Sequence, residues 1–247
     1  MAWFLRAGHS IAIEAGNYIV RLGDFAFKLS PEEFTTSLWA VCNRFLGGEY
    51  ADLDVRDAVV VDIGAYIGDS VLYFVQQGAY RVHAYEPFGV TFAAATANIE
   101  LSHAGNRVQV VNAGVASRSG SVAVAAADVP SPLLVSLPAD GWPVGAVDHG
   151  ETVRLISFGE VLDQAVAEAG GRRIVCKIDC EGAEFDILLG APLPEAFAQV
   201  RQLIIETHRR SPAPLAQVLE SQGFTVRVDR TPSSRDGELA MMRATRA

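Results

Sequence analysis

The stretch Val59 to Ser70, VVVDIGAYIGDS, constrains this chain more than any other. Three consecutive valines start a buried strand, Gly64 and Gly68 punctuate a turn, and Asp69-Ser70 open a helix. A second apolar run, Arg81 to Tyr85, ends on Glu86, and Pro87 stops the strand and fixes the turn behind that carboxylate. Strand, glycine turn, helix, and a carboxylate closing the next strand form the arrangement by which an open α/β sheet holds an adenosine. The residue after Gly68 narrows the ligand. The pyrophosphate of a dinucleotide needs a bare helix N-terminus, and the carboxylate of Asp69 would repel it. That carboxylate suits a helix cap, and it suits a ligand with a positive centre and no phosphate. S-adenosylmethionine is such a ligand.

From Val59 onward, short apolar runs alternate with helical patterns. The pattern predicts strands at 58–62, 81–85, 108–112, 174–179, 201–206, 224–229 and 238–243, and helices near 69–77, 88–101, 158–168, 183–189 and 212–221. Such alternation argues for an α/β fold with a doubly wound, mostly parallel sheet. The turn-rich Thr231 to Gly237 joins the last two strands as a hairpin, so the last strand is expected to run antiparallel. Residues 1–56 read as a small N-terminal cap. It has a β-like stretch from Tyr18 to Leu29, then a helix that starts at Ser30-Pro31-Glu32-Glu33 and stops before Gly47-Gly48. Residues 57–247 form the ligand-binding domain. Within it, the proline-rich segment 127–150 is too long for a simple connection. With Leu133, Leu134 and Trp142 it reads as a lid over a pocket or as a surface insertion.

Charge and cysteine usage exclude several classes. The net charge is −9, and basic residues cluster only at Arg172-Arg173 and His208-Arg209-Arg210, which argues against nucleic acid as a partner. Cys42, Cys176 and Cys180 form no C-x-x-C pair, so neither a zinc site nor a disulfide framework is indicated. The first sixteen residues lack a long apolar core, so neither a signal peptide nor a membrane span is expected. A cytoplasmic protein follows as the expectation, and a homo-oligomer is left open.

The candidate residues lie at the ends of the predicted strands. Asp62 is expected to hold the ligand's amino group, directly or through a water, and the backbone around Gly64 to face its methionine part; a plain strand-to-helix turn is the bland alternative. Glu86, 24 residues after Asp62, can accept both ribose hydroxyls. Asn112 and the backbone of Ala113 fit an adenine edge, although Asn112 serves equally well as a turn residue. In CKIDCEGAEFDILLG, Asp179, Glu181 and Glu184 converge at a strand end. If the strand ends near Asp179, Glu181 caps the following helix. In QLIIETH, Glu206 and His208 share a face, and histidine is suited to take a proton near neutral pH. His208 and Asp179 are the favoured proton acceptors, with Glu181 the third candidate. Asp179, Glu181 and Glu206 are also oxygen donors for a divalent cation; spacing alone does not establish that geometry, and no metal is assigned.

These pieces together resemble the FkbM family of S-adenosylmethionine-dependent methyltransferases. The resemblance rests on VVVDIGAYIGDSVLYFVQQGA, the AYEP that contains Glu86, the pair Asn98-Ile99, VVNAGVAS, KIDCEGAE and IIETH, in that order and over about residues 58–230. It implies a class I methyltransferase (Rossmann-like) fold and O-methylation, commonly of a hydroxyl on a sugar, glycan or secondary metabolite. It does not reach the cap or the 127–150 segment, where acceptor choice should lie. Two rivals stand beside it. One is a nicotinamide-dependent oxidoreductase, disfavoured by Asp69 and by the lack of a G-x-G-x-x-G run. The other is a non-catalytic nucleoside-binding module.

Overall fold

The structure is a computed structural model that describes residues 9–124, 152–234 and 237–246. The expected lid at 127–150 lies outside the described residues. An antiparallel sheet of β1 (Ser10–Glu14), β2 (Asn17–Leu22) and β3 (Phe25–Leu29) opens the chain, and α1 (Phe34–Phe45) follows. The expected helix start is displaced. Pro31, Glu32 and Glu33 form a turn ahead of α1 instead of its first turn. The Ser30 hydroxyl takes the Glu33 N–H at 3.3 Å, which closes that turn and leaves Glu33 at the N-cap.

The large sheet contains β4 (Val59–Ile63), β5 (Arg81–Glu86), β6 (Val108–Asn112), β10 (Ile174–Ile178), β11 (Val200–His208), β12 (Thr225–Ser234) and β13 (Gly237–Thr245). Their order across the sheet is β12-β13-β11-β10-β4-β5-β6. β4, β5, β6, β10 and β11 pair in parallel, and β13 runs antiparallel between β11 and β12, as the hairpin required. Helices α2 (Asp69–Gln76), α3 (Gly89–Leu101), α4 (Phe158–Ala169), α5 (Glu184–Leu189) and α6 (Ala213–Ser221) fill the connections. The sequence reading did not foresee a third, small sheet, in which β9 (Thr152–Ser157) lies between β7 (Gly114–Ala116) and β8 (Gly120–Ala123).

All five residues of β4 are buried, so the strand reads as a continuous apolar run up to Asp62. Its side chains nevertheless divide between two faces. Val60 belongs to a cluster with Val71, Phe74, Val82 and Ile99, and Val59, Val61 and Ile63 belong to another with Leu162, Phe185 and Leu203. The first cluster also contains Val20, Leu22, Phe27, Leu29 and Val41, so the N-terminal segment shares its core with the sheet. Polar stitches reinforce this. Asn98 accepts from Lys28 N at 2.7 Å and donates to Ile67 O at 2.9 Å, and the Ser102 hydroxyl bonds both backbone groups of Ala26.

The chain leaves β4 towards β5 and β6, then crosses back to place β10 on the other side of β4. This reversal parts the connecting loops beyond the strand C-termini and makes the crevice where open α/β sheets bind ligands. Among the described residues, no helix is long and apolar enough to cross a membrane.

Candidate active site

A cavity of about 220 Å³ occupies this crevice. Its wall includes Ile63, Gly64, Tyr66 and Asp69 at and after the end of β4, Tyr85 to Phe88 at and after the end of β5, Ala113 to Val115 after β6, Lys177, Asp179, Cys180 and Glu181 around the end of β10, and Glu206 on β11. Helix α1 completes it with Thr36, Trp39, Ala40 and Arg44, and Trp39 is 64% exposed at this rim. The wall is rich in carboxylates, which favours a ligand bearing positive charge.

The glycine turn is shaped by the neighbouring strand. Gly64 has φ +83°, and a Cβ there would lie 1.8 Å from the carbonyl oxygen of Asp179. Only glycine lets the β4 turn and the β10 end come this close. Gly68, at φ +82°, is the N-cap of α2 and is not on the cavity wall. Asp62 is wholly buried beneath the wall. It accepts the Ser70 hydroxyl at 2.6 Å and stands 3.2 Å from Lys177 Nζ, so the structure does not bring it to the cavity surface. Lys177 takes that place on the wall, its Nζ also donating to Gly64 O at 2.5 Å.

Glu86 is the best-held acid of the site. Its carboxylate accepts from Tyr66 N at 2.8 Å, Phe88 N at 3.1 Å and the Thr91 hydroxyl at 2.6 Å. Burial pushes its pKa up to about 7, against the pull of these three donors. Asn112 is exposed and donates its amide to the carbonyls of Glu86 and Pro87, both at 3.0 Å. It therefore serves its own turn and does not line the cavity, whereas Ala113 does.

Strand β10 ends at Ile178, and Glu181 adopts φ +55°, an uncommon conformation for a residue with a side chain. Glu181 does not cap α5, whose N-cap is Ala183; it faces the cavity. The acid that organises α5 is Glu184, fully buried, which accepts from Gly182 N at 2.8 Å and from His208 N at 2.7 Å. Glu184 thus ties α5 to the end of β11.

His208 sits among four carboxylates. Its Nε2 is 3.6 Å from Glu206, 3.8 Å from Glu181 and 3.9 Å from Asp179, and its Nδ1 is 3.5 Å from Glu184. Burial alone would lower its pKa, but Glu184 and Glu206, helped by Asp179 and Glu181, outweigh burial and hold it at about 11. These neighbours favour the protonated ring. Asp179 is half-buried, and although desolvation opposes its charge, Lys177, His208 and Arg44 draw its pKa below the usual carboxylate range. Glu181 behaves oppositely: burial raises it to about 7, despite His208. Asp179, Glu206 and His208 bring one donor atom each within 4.8 Å of one another, a spacing that a divalent cation accepts once His208 gives up its proton. Lys177 and Arg44, at 3.7 and 3.8 Å, already compensate Asp179.

The sequence reading missed Arg44, Tyr66 and Lys177 as wall residues. Lys177 had a signal, since alternation along β10 places it on the same face as Asp179. Tyr66 lies inside the recognised turn, where its hydroxyl reaches the N-terminal segment at Ser37, 2.9 Å away. Arg44 had no local signal.

The sequence profile of the Methyltransferase FkbM domain matches residues 62–226. Among curated proteins, none matches the chain. Solved structures with a similar course include an uncharacterized protein from Listeria monocytogenes serotype 4b, at 13% identity and TM-score 0.46, covering 80% of this chain. This chain spans 65% of that protein's length. A SAM-dependent methyltransferase from Agrobacterium tumefaciens is 10% identical with TM-score 0.45, covering 95% of this chain and 71% of that one. TrmK from M. capricolum, solved with S-adenosyl-homocysteine, is 11% identical with TM-score 0.47, covering 80% and 66%.

Proposed function

The chain belongs to the FkbM methyltransferase family, and on that footing we propose that it methylates a hydroxyl oxygen of a sugar, glycan or small metabolite, with Glu181 receiving the hydroxyl proton. Its methyl donor is S-adenosylmethionine, which when bound supplies a methyl group made electrophilic by a sulfonium. The observation that carries the reading is a division of labour among the acids of one cavity. Glu86 and Glu181, each raised to about 7, line the same wall as Asp69 and Asp179.

Each residue has a role that its surroundings support. Glu86 accepts the two ribose hydroxyls, and its three protein donors fix its plane for that task. Ala113 and the apolar Tyr85, Phe88 and Val115 flank the base. Asp69 and Asp179 offer negative charge to the ammonium of the amino-acid end. Glu181 is suited to proton transfer because a pKa near the working pH balances availability against driving force. His208, whose carboxylate neighbours favour its protonated form, is assigned to orienting Glu181 and Glu206 and tempering their mutual repulsion. Asp179 is the weaker base of the remaining two, because its neighbours stabilise its ionised form.

Isothermal titration with S-adenosylmethionine tests the donor half, with Glu86→Ala expected to weaken binding strongly. Stabilisation of the fold by NAD in place of that nucleoside would point to the oxidoreductase. The acceptor half is tested with methyl-labelled donor and a cell extract. Label is expected on an oxygen of a hydroxylated small molecule or glycan, and label recovered in RNA or on a nitrogen would refute this half. With the labelled product identified as acceptor, Glu181→Gln should cut turnover by about two orders of magnitude or more while the donor affinity stays near wild type.

A further inference from the structure

Arg44 belongs to α1, in the N-terminal segment, yet its guanidinium stands in the wall of the cavity. It is only 8% exposed. Thr36, Ala40 and Arg44 follow one another at intervals of four residues on the same helix stripe, and all three line the cavity. The guanidinium pairs with Glu49 from its own segment. Its Nε is 3.4 Å from Asp69 Oδ2, and its Nη2 is 3.8 Å from Asp179 Oδ2. These two aspartates come from different elements: Asp69 opens α2, and Asp179 follows β10. Among the described residues the buried Nε has no hydrogen-bond partner, so the fork stands beside Asp69 without closing on it. Two acids facing one cavity repel each other unless a cation lies between them. A planar fork with donors on several edges can serve both at once, as an ammonium on a flexible stem cannot.

We propose that Arg44 is a positioning residue of the donor site, spanning Asp69 and Asp179 and holding both carboxylates towards the amino-acid end of the bound nucleoside. The proposal rests on the donor reading above, in which Glu86 takes the ribose and these two aspartates are left for the ligand's ammonium. It gives the N-terminal segment a direct part in donor binding.

The test compares two ligands that differ at that end. S-adenosylhomocysteine carries the ammonium and its neighbouring carboxylate; 5′-methylthioadenosine keeps the adenosine and the thioether and lacks both. Calorimetric affinities of both are measured for wild type, Arg44→Gln and Arg44→Lys. Arg44→Gln is expected to weaken S-adenosylhomocysteine by about tenfold or more and to leave 5′-methylthioadenosine within about twofold. Arg44→Lys, which keeps the charge but not the fork, should recover part of the loss. Equal weakening of both ligands shows a merely structural residue and overturns the proposal. So does unchanged affinity for S-adenosylhomocysteine, or a wild type that does not prefer it over 5′-methylthioadenosine. A wild type that binds neither removes the adenosine reading itself. Should Arg44→Gln fail to fold, Arg44→Lys decides alone: a loss confined to S-adenosylhomocysteine supports the role, and an equal loss or none refutes it.

Discussion

Two side chains at the site carry charges that their types alone would not suggest. Glu86 is raised to about 7 before any ligand arrives, because burial outweighs its three donors. Ribose hydroxyls donating to it favour the ionised form, so binding should expel the proton that part of the population carries. Affinity for S-adenosylhomocysteine should therefore rise between about pH 6 and pH 8 and level off above, with proton release visible as a dependence of the calorimetric heat on buffer. Glu86→Gln should flatten the profile; a wild-type affinity independent of pH would contradict the assignment. His208 gives the opposite sign in stability. Its pKa is about 11 in the folded chain against an ordinary 6.5, with burial overcome by four carboxylates. Its contribution is complete below about pH 6.5 and is lost as pH rises towards about 11. The Tm difference between wild type and His208→Gln should shrink across that window. A constant difference would mean that the ring is neutral throughout. The nearness of this histidine to the acids was legible in the chain. Counting four carboxylates around one ring requires the fold.

At the scale of elements, the glycine turn shows how a local motif and a distant strand share one constraint. Gly64 and Gly68 have nearly the same positive φ, so the conformational penalty of a side chain is similar at both, about 1–2 kcal/mol. They differ in what a Cβ would meet: the Asp179 carbonyl oxygen at 1.8 Å for Gly64, and Ala95 at no closer than 3.4 Å for Gly68. Gly64→Ala should thus cost ~3 kcal/mol or more in urea unfolding and splay β4 from β10, while Gly68→Ala stays near the conformational penalty. Equal losses would show that the close approach relaxes freely. The turn, the strands around it and the antiparallel final hairpin were legible in the chain, because apolar periodicity and turn residues act over a few positions. The start of α1 was misplaced because the Ser30 hydroxyl claimed a backbone donor, and β7 and β9 were missed because they pair with each other across a long insertion and β7 has only three residues.

Over the whole molecule, the N-terminal segment functions as part of the core and of the cavity wall. Phe27 is fully buried, stands edge-on to Phe45 at 5.5 Å, and belongs to the cluster that holds Val60 of β4 and Phe74 of α2. Phe27→Ala should cost ~3–5 kcal/mol, and a chain lacking residues 1–56 should fail to fold or to bind S-adenosylhomocysteine. A truncated chain with intact affinity would show that the segment is dispensable. By itself, the sequence determined the α/β class, the strand that carries the glycine turn, the carboxylate that ends the next strand, and the family. All of these depend on contacts between near neighbours in the chain or on motifs read in order. Only the tertiary structure decided that Arg44 reaches across to Asp69 and Asp179, that Lys177 covers Asp62, and that His208 lies among carboxylates from three segments of the chain. Those outcomes are set by through-space distance and burial, since a charge is stabilised or neutralised by whichever groups the fold brings within a few ångströms and by how much water it removes.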